Sequence, residues 1–343
     1  MKKINCALIG FGNVGKQHAN FLEKNVKTKL NYVCEKNSKI RKINKYKFKN
    51  VKWIKDENII FKDKNIDLVV ISSYDNYHFR QIKKSLKNKK NVFCEKPICQ
   101  NLSELKRIHN LLIKYKSSRF SSNLILRSNK EFKFLKKLII KKKIGKIYYT
   151  EGDYNYGRLS KITKGWRGLI PFYSVFSGGG IHLVDIICYF LNDYPKSVYA
   201  SANKIITKRT KFRFNDFVIA MLKFKNKSLS KITANFGCVS SHNHSLKIYG
   251  SKGTFLKEYD NSKLILNRDN KKQKKPKRFK FDKRYKKFEI LKNFVDSFNN
   301  KSKKIELPDT SSILKTMLIC FAAEKSFKTN KEIQINYKKL SLD

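Results

Sequence analysis

The 343-residue sequence predicts an α/β first half, built as a doubly wound parallel sheet, and an α+β second half with an open, mostly antiparallel sheet. Strand and helix patterns alternate over the first 120 residues, whereas the later strand-like runs follow one another without intervening helices. The length also exceeds one ordinary hydrophobic core and suits two domains of roughly 100–200 residues each. We therefore predict one domain at residues 1–120 and a second at residues 121–343.

In the first half, short apolar runs bounded by turn residues predict strands, and the segments between them predict helices. The predicted strands are Ile4–Ile9, Leu30–Cys34, Val51–Ile54, Ile66–Ser72 and Asn91–Cys94. The predicted helices are Val14–Glu23, Asp56–Phe61, Tyr77–Lys87 and Leu102–Lys116. In the last of these, Leu105, Ile108 and Leu112 recur at the spacing of one helical face.

The second half begins with a predicted strand at Asn123–Leu126 and a predicted helix at Phe132–Lys142. The strands predicted after them are Lys146–Tyr154, Ser197–Ile205, Asp216–Phe224, Ser230–Cys238, Ser245–Tyr249, Thr254–Glu258 and Lys263–Leu266. Further helices are predicted at Ile181–Leu191, Lys286–Phe298 and Ser311–Lys328. Because consecutive strands usually pair as neighbours, we expect a mostly antiparallel sheet covered on one face by these helices.

The formal net charge of +52 is the feature of the composition that most suggests a nucleic-acid partner, since Lys and Arg neutralise phosphates. Arginine, whose planar fork is preferred for phosphate recognition, supplies only 12 of the 78 basic residues, and the lysines are spread along the whole chain. The densest stretch is Lys271–Lys287, with 11 basic residues and one Asp. We interpret it as a solvated loop, with a polyanion-binding patch as the alternative, and expect no nucleic-acid partner.

The amino terminus, MKKINCALIGFGNVG, combines lysines with an apolar run and so has to be tested as a signal peptide. That run is only about six residues long before glycines break it, and no small-residue cleavage site follows. No segment reaches the roughly 18 uncharged apolar residues of a membrane span.

The seven cysteines lack paired spacing, and Cys6, Cys34 and Cys94 lie in apolar runs. We predict a cytoplasmic protein with reduced core thiols and no membrane partner.

The first strand runs directly into GFGNVG, which opens a helix and has the G-x-G-x-x-G spacing of Rossmann dinucleotide-binding domains. In this context Gly10 makes the tight turn, Gly12 lets the backbone approach a pyrophosphate, and Gly15 allows close packing of helix and strand. The N–H groups and positive dipole of the helix start attract phosphates. The alternative is a glycine-rich turn needed only for backbone geometry. The predicted cofactor-binding residues of the loop are Gly10, Phe11, Gly12, Asn13, Val14 and Gly15.

Glu35 follows the second strand, twenty residues after Gly15, where a carboxylate can accept hydrogen bonds from the adenosine ribose of NAD. Lys36 and Arg41 could instead pair with a 2′-phosphate. We therefore predict NAD as the cofactor, with Glu35 among its ligands and NADP as the alternative.

The stretch NVFCEKPI, Asn91–Ile98, is a buried strand that ends abruptly in an acid, a base and a proline. On its own this is an ordinary strand end. Ligands of doubly wound sheets, however, lie beyond the carboxyl ends of the strands, so Glu95 and Lys96 fall on the same edge as the glycine loop. The fourth strand leaves through ISSYDNYH at that edge. The further residues predicted to contact the cofactor are Ser72, Ser73, His78, Glu95 and Lys96.

Taken together, these motifs resemble those of the Gfo/Idh/MocA family, which includes glucose–fructose oxidoreductase and inositol dehydrogenase. The resemblance rests on GFGNVG, CEKP, IGKI at Ile144–Ile147 and GGGIHLVDI at Gly178–Ile186, and it extends to FAAEKSFKTNKEIQI near the end of the chain. It implies an NAD(P)-dependent dehydrogenase acting on CH–OH groups, whose second sheet covers the nicotinamide and mediates homo-oligomerisation. It also implies that Lys96 touches cofactor and substrate and that His182 transfers the proton, a role suited to imidazole.

The chain departs from the family pattern at two places. Many relatives carry an aspartate four residues before the histidine, where this chain has Gly178, so an Asp–His relay cannot be transferred directly. Asp185 matches a frequent family position three residues after His182, and we include it among the catalytic residues as an orienting group. The fourth-strand turn, usually Thr-Pro-Asn, reads Ser73-Tyr74-Asp75 here.

The middle of the chain is rich in residues that could hold a sugar, since Tyr and Trp cover sugar faces and Arg binds carboxylate or phosphate bidentately. The predicted substrate-binding residues are Arg127, Tyr156, Arg158, Trp166, Arg167, Arg213 and Asn215. Stretches of this kind resemble those of relatives that accompany surface-polysaccharide synthesis, which favours an acidic or nucleotide-linked sugar over free inositol. His242 and His244 could share a strand face as metal ligands, but without a third ligand we predict no metal site.

Three functions follow from the sequence as hypotheses. The first is net transfer of a hydride between NAD(P) and a secondary hydroxyl of a sugar or sugar nucleotide. The second is a cycling reaction, in which reduced cofactor is reoxidised on the same sugar to give epimerisation, dehydration or glycoside cleavage. The third is an NAD-sensing regulator that binds polyanions through Lys271–Lys287.

Overall fold

The chain folds into two compact units, each of which contains one sheet. A computed structural model describes residues 3–259, 261–266, 276–279, 281, 286–298 and 305–340. The first unit comprises Met1–Ile125 and Lys286–Leu314, and the second comprises Leu126–Tyr285 and Lys315–Asp343. The predicted boundary near residue 120 lies close to the end of the first segment, but the return of the chain to the first unit was not predicted.

The first unit contains a six-stranded sheet in which every neighbouring pair is parallel. Its strands are β1 (Ile4–Ile9), β2 (Thr28–Cys34), β3 (Lys52–Ile54), β4 (Leu68–Ile71), β5 (Asn91–Cys94) and β6 (Phe120–Ser122). Their order in the sheet is β3-β2-β1-β4-β5-β6, which is that of a dinucleotide-binding fold. Because all four residues of β4 are buried, this strand reads as a continuous apolar run, as expected for a parallel strand covered on both faces.

Five helices connect these strands: α1 (Asn13–Lys24), α2 (Ser38–Lys45), α3 (Asn58–Lys62), α4 (Asp75–Lys87) and α5 (Leu102–Lys114). Helix α2 was not predicted, because it has no buried residue and four of its eight residues are basic. Its first turn is stabilised by Asn37, whose side chain accepts a hydrogen bond from the Ile40 amide, and Ile40 packs against the core.

The predicted strand at Asn123–Leu126 is wrong. The edge strand β6 ends at Ser122, opposite Cys94, the last residue of β5, and a 3₁₀ helix follows at Ile125–Ser128. The alternating apolar residues suggested a strand, but beyond Cys94 no β5 residue remains to pair with one.

Helix α9 (Glu289–Ser297) belongs to the first unit, so the prediction that Lys286–Phe298 covers the second sheet is also wrong. Its buried residues Ile290, Leu291, Phe294 and Val295 share a hydrophobic cluster with the core strands β1, β4 and β5. The rings of Phe294 and Phe93 lie 5.9 Å apart, and Phe288 stacks on Phe21 at 5.3 Å. Burial of one such aromatic side chain stabilises the fold by about 1.5–3 kcal/mol.

The second unit contains a nine-stranded sheet whose neighbouring strands are antiparallel except for one parallel pair, Leu229–Asn235 with Ile147–Asn155. Its strands are β7 (Ile147–Asn155), β8 (Pro195–Asn203), β9 (Phe217–Phe224), β10 (Leu229–Asn235), β11 (Asn243–Gly250), β12 (Thr254–Lys257), β13 (Ser262–Ile265), β14 (Lys277–Phe279) and β15 (Ile333–Gln334). Their order is β14-β13-β12-β11-β7-β10-β9-β8-β15. This mixed, mostly antiparallel sheet confirms the predicted fold class.

The helices of the second half are α6 (Lys130–Ile140), α7 (Ser160–Thr163), α8 (Ile181–Leu191) and α10 (Thr310–Thr329). Central strands of the sheet alternate buried and partly exposed residues, as in β9 and β11, so one face is buried. Helix α8, apolar on nearly all sides, packs against this face: a side chain at Gly152 of β7 would meet Leu183 at 3.2 Å.

The predicted basic loop Lys271–Lys287 lies largely outside the described residues. Within its described part, Lys277–Phe279 is a short edge strand, β14, paired with β13. No helix in the described part of the chain is long and apolar enough to cross a membrane. All seven cysteines are described, and none forms a disulfide.

Candidate active site

The glycine loop after β1 has the geometry that its sequence predicts. Gly10 has a positive φ of +92°, and a Cβ there would lie 2.6 Å from the Ser72 carbonyl oxygen. A Cβ at Gly15 would lie 2.1 Å from the Gly10 oxygen, so α1 packs against the turn at backbone distance. A Cβ at Gly12, by contrast, would meet nothing within 4 Å among the described residues. The middle glycine therefore faces open space, where a ligand can approach the backbone.

Helix α1 begins immediately after Gly12, and no side chain of the described residues caps its first turn. Asn13 is exposed and Val14 half-buried at this end. Phe11 is only 1% exposed and packs against Phe48 and Trp53, so only its backbone can contact a cofactor. An open glycine beside an uncapped helix start fits the pyrophosphate of a dinucleotide.

Glu35 lies beside this loop and is held by backbone amides. Its Oε2 accepts a hydrogen bond from the Phe11 amide at 3.0 Å, and its Oε1 accepts one from the Asn37 amide at 2.9 Å. The Arg41 guanidinium donates to the Glu35 and Lys36 carbonyl oxygens, while the Lys36 ammonium lies 4.7 Å from the centre of the Tyr77 ring. A carboxylate is thus fixed at the end of β2, and the two nearby cations are oriented by other groups.

Residues that follow β4 and β5 lie at the same edge of the sheet. Ser72 and Glu95 continue the strand pairing, since their amides donate to Ile9 and Ile71 at 2.7 and 2.9 Å. The side chains of Ser72, Ser73, Glu95 and Lys96 are all half-buried. The Lys96–Pro97 peptide bond is cis. The structure therefore brings these predicted residues together with the glycine loop.

The prediction that His78 contacts the cofactor is corrected by the structure, because the His78 side chain is fully buried. Its Nδ1 lies 2.7 Å from the Pro97 carbonyl oxygen and its Nε2 lies 3.2 Å from that of Ser73. Both ring nitrogens therefore face backbone, and no part of the ring reaches a ligand at the surface. His78 joins the turn after β4 to the turn that carries Lys96.

In the second unit, His182 is the second residue of α8 and follows a π-helical turn at Phe176–Gly180. Such turns are rare and often mark functional sites. His182 is 5% exposed, and its ring lies 5.9 Å from that of His244, which in turn lies 5.0 Å from Tyr154. Tyr154 is not among the substrate-binding residues singled out from the sequence, because it has the pattern of an ordinary inward residue of a strand.

The glycines before His182 are required by aromatic side chains. A Cβ at Gly179 would lie 2.5 Å from the Tyr154 ring, and one at Gly178 would lie 2.4 Å from the Tyr173 hydroxyl oxygen. That hydroxyl accepts a hydrogen bond from Nε of Arg167 at 3.0 Å. Where many relatives carry an aspartate, this chain therefore places the hydroxyl of a tyrosine held by an arginine.

Glu324 supports the same turn from α10. Its carboxyl is buried and accepts a hydrogen bond from the Ser177 hydroxyl at 2.7 Å. Burial raises the pKa of Glu324, and the hydrogen bonds from Ser177 and Ser174 oppose this shift. The sequence does not suggest this contact, because 147 residues separate the two partners.

Asp185 and Arg127 require corrections to their predicted roles. Asp185 is fully buried, and Arg127 is 7% exposed. Nε and Nη2 of Arg127 donate to the Asp185 carboxylate at 2.6–3.1 Å. Since the pair is internal, Arg127 is an ion-pair partner of Asp185 instead of a group offered to the substrate, and Asp185 anchors α8 to the 3₁₀ helix.

Four of the other predicted substrate residues form one group, in which two arginines flank the ring of Tyr156 and one of them stacks on Trp166. Tyr156 is 7% exposed and has the guanidinium carbons of Arg158 and Arg167 at 5.7 and 6.0 Å from its ring centre. Arg167 also stacks on Trp166 at 4.6 Å. Arg158 is exposed and forms no ion pair with a described residue. Two arginines thus flank a tyrosine near the helix-covered face of the sheet.

Neither Arg213 nor Asn215 has a described contact with the Tyr156 ring. Arg213 is exposed, with Nη2 donating to the Ile170 carbonyl oxygen at 3.4 Å, and Asn215 is half-buried beside Asp216. His242 and His244 lie 5.1 Å apart, but no cluster of three or more potential metal ligands occurs among the described residues.

Comparison with known proteins agrees with this geometry. Residues 4–122 match an oxidoreductase family with an NAD-binding Rossmann fold, and residues 132–256 match the GFO/IDH/MocA C-terminal domain. A myo-inositol 2-dehydrogenase of Thermotoga maritima is 25% identical over 340 residues, covering 96% of this chain and 97% of that protein.

Solved structures show the same fold over nearly the whole chain. A myo-inositol 2-dehydrogenase from Lactobacillus plantarum superposes with a TM-score of 0.83 at 20% identity, covering 98% of this chain and 100% of that one. A scyllo-inositol dehydrogenase from Lactobacillus casei, solved with NAD(H) and scyllo-inositol, gives 0.80 at 19% identity, covering 97% and 99%.

The parallel sheet carries an open glycine loop, and the first domain matches NAD-binding oxidoreductases. These two observations define the class of the protein, which is an enzyme that uses a nicotinamide dinucleotide. Because both domains match in order along the sequence, the chain belongs to the Gfo/Idh/MocA family. The predicted family, enzyme class and NAD cofactor are thereby confirmed.

Proposed function

We propose that the enzyme transfers a hydride between NAD and a secondary hydroxyl of a sugar or sugar nucleotide. The observation that carries this proposal is the imidazole of His182, held at the start of α8 among aromatic rings in a chain whose other domain binds NAD. Oxidation of a CH–OH group needs a proton acceptor, and imidazole titrates in the range that suits the task. Relatives named as inositol dehydrogenases support this choice.

NAD is preferred to NADP in this proposal because of the carboxylate at Glu35. It is fixed beside the glycine loop by two backbone amides, where it can accept from ribose hydroxyls and would repel a 2′-phosphate. Arg41, the residue best suited to a phosphate, is turned onto two backbone carbonyl oxygens.

Bound NAD supplies the hydride acceptor at C4 of its nicotinamide ring. His182 takes the proton of the substrate hydroxyl as the hydride leaves, and Lys96 polarises the same oxygen or shares in the proton transfer. Tyr173, positioned by Arg167, stands where a family carboxylate would, so this part of the site carries a hydroxyl and a cation in place of an acid.

We further propose that the substrate carries a carboxylate or phosphate. Tyr156 is as buried as Arg127 and supports the two arginines beside it, so the half-buried Trp166, on which Arg167 stacks, would cover a sugar face while Arg158 and Arg167 hold an anionic group. The carboxylates of β7, Glu151 and Asp153, form ion pairs with Lys231. An acidic or nucleotide-linked sugar, as in polysaccharide synthesis, fits this arrangement better than a neutral cyclitol.

The test is an NADH absorbance assay of the purified protein with NAD and NADP against uronic acids, UDP-sugars, neutral sugars and inositols. We expect NADH with NAD and an anionic sugar, and at least a tenfold loss of turnover in both His182→Ala and Lys96→Ala. Wild-type turnover in both variants would contradict the mechanism. Product labelled from deuterated water without net NADH would replace it with the cycling reaction.

A matched pair of variants tests the anionic group separately. Arg158→Met should raise the KM for an anionic sugar by about tenfold or more, whereas Lys161→Met, an exposed lysine on α7, should not. Equal effects of the two variants, or an equal effect on a neutral sugar, would argue against a specific contact.

We also propose that the enzyme is cytoplasmic and forms a homo-oligomer through the outer face of the second sheet. The reduced cysteines support the first statement. Tyr148, Tyr199 and Met221, which are 56%, 43% and 43% exposed on strands of that sheet, support the second. Light scattering in solution would measure the molar mass of the protein and hence its number of subunits.

A further inference from the structure

A buried network of polar groups lies at the carboxyl edge of the parallel sheet, and its centre is His18 of α1. This histidine is fully buried, and its Nδ1 lies 2.9 Å from the Ser72 hydroxyl. Its Nε2 lies 3.3 Å from the Lys287 carbonyl oxygen, 3.5 Å from the Asn123 amide nitrogen and 3.8 Å from the Glu95 carboxylate. Four chain segments that are distant in sequence thus meet at one imidazole.

The neighbours of Nε2 decide which nitrogen carries the proton. The Asn123 amide nitrogen donates its two hydrogens to Glu95 at 2.5 Å and to the Lys287 oxygen at 2.9 Å, so it has none left for His18. The other groups near Nε2 are a carbonyl and a carboxylate oxygen, which only accept. Nε2 must therefore be the donor, and a neutral ring then has a bare Nδ1.

The ring is neutral at physiological pH. Burial lowers the pKa of His18 below its ordinary value of 6.5; the Glu95 carboxylate and the hydrogen bond to the Lys287 carbonyl oxygen oppose this shift, and the Lys287 ammonium adds to it. A bare Nδ1 can only accept, so the Ser72 hydroxyl must donate its single proton to His18. The Ser72 oxygen is then left with lone pairs alone on its half-buried outer side.

We propose that His18 is a positioning residue for the cofactor, which fixes the Ser72 hydroxyl as a hydrogen-bond acceptor toward a donor group of NAD. The donor groups that NAD offers are its ribose hydroxyls, its adenine amino group and its carboxamide N–H₂, since its phosphates can only accept. The inference rests on NAD binding alone and not on the proposed sugar substrate.

Variants of the pair test this directly through the dissociation constant of NAD, measured by calorimetry on the full chain. Ser72→Ala and His18→Leu should each weaken NAD binding by about three- to tenfold, and the double variant no more than either. His18→Asn keeps an acceptor near Nδ1 and should stay within about twofold of wild type. Ser85→Ala is the control, because the Ser85 hydroxyl is buried on α4 and donates to the Gln81 carbonyl oxygen of its own helix.

The two histidine variants lose the same contact with Lys287 and differ in the acceptor offered to Ser72. Equal losses in His18→Asn and His18→Leu would mean that the ring is only structural, and unchanged binding in Ser72→Ala would overturn the proposal outright. Deamido-NAD separates the carboxamide from the other donors: if the carboxamide is the partner, Ser72→Ala should no longer discriminate NAD from this analogue, and if a ribose hydroxyl or the adenine amino group is the partner, the binding of both should weaken equally.

Nitrogen NMR of ¹⁵N-histidine-labelled wild-type protein needs no variant to fold. We expect one histidine with an unprotonated Nδ1 and a protonated Nε2 from pH 8 down to the ordinary value of 6.5, with a change at Nδ1 when NAD is added. A protonated Nδ1 in that range would refute the assignment.

Discussion

At the scale of single residues, Gly12 and Gly178 lack a side chain for opposite reasons. Around Gly12 a Cβ would meet nothing within 4 Å among the described residues, whereas at Gly178 it would lie 2.4 Å from the Tyr173 hydroxyl oxygen. The first position leaves room for a ligand, and the second is filled by the protein itself. Substitutions at the two sites should therefore separate binding from folding.

Gly12→Ala should leave the fold intact and weaken the binding of the cofactor. Because Gly12 has an ordinary φ of −71°, alanine costs no strain and can raise the free energy of unfolding by up to about 1 kcal/mol. The new methyl group would occupy the space of the pyrophosphate, so we expect the dissociation constant of NAD to rise at least tenfold in calorimetry. Unchanged NAD affinity would contradict the reading of the loop.

Gly178→Ala should have the reverse effect. Its Cβ would collide with Tyr173, and such overpacking typically lowers the free energy of unfolding by about 1–3 kcal/mol. We expect urea titration to show this loss while NAD affinity stays unchanged. Adding Tyr173→Ala removes the collision, so the double variant should be less destabilised than the two single effects combined. Simple additivity would show that the space is not filled by Tyr173.

At the scale of elements, the buried pair of Arg127 and Asp185 connects the 3₁₀ helix to α8, on which His182 lies. Removing one member leaves a charge buried without its partner. Arg127→Met should therefore lower the free energy of unfolding by about 3–5 kcal/mol.

The double variant Arg127→Met with Asp185→Leu removes both charges and should recover much of that stability. Thermal melts of the single and double variants provide the comparison. If the double variant were as unstable as the sum of the two single variants, packing of the aliphatic stems would outweigh the charge.

The elements also show what can be predicted from the sequence. Strands β1 and β5 agree with their predicted bounds, because short apolar runs between turn residues leave few alternatives. Helix α9 was predicted at nearly the right residues but on the wrong unit, since an apolar stripe specifies burial and not the surface that provides it. The π-helical turn at Phe176–Gly180 depends on rings from distant segments, so no local pattern predicts it.

The candidate site divides in the same way. Gly10, Gly12 and Lys96 could be proposed from the sequence because the spacing of glycines and the position after a strand are local signals. Tyr173 and His18 were missed, because their roles come from partners that the fold brings together: Arg167 for the first, and Asn123 with Ser72 for the second.

At the scale of the whole molecule, the first unit is made of two segments separated by the second unit, and α9 supplies part of its core. A fragment of residues 1–125 should therefore fail to fold alone, because the apolar surface around Phe93 would lose its cover. We expect weak tertiary signals and no NAD binding by calorimetry. Adding a peptide of residues 286–314 should restore both, and a fragment that binds NAD unaided would disprove the requirement.

The split first unit also determines when the protein can mature on the ribosome. About 160 residues must be made between Ile125 and Lys286, which takes about 10–30 s at ordinary rates of synthesis. Throughout that interval the residues of the amino-terminal sheet have been made without α9, and the apolar side chains that α9 later covers are open to chaperones or to neighbouring nascent chains. The domain that is translated first is thus completed late, and cofactor capture becomes an event of the finished chain.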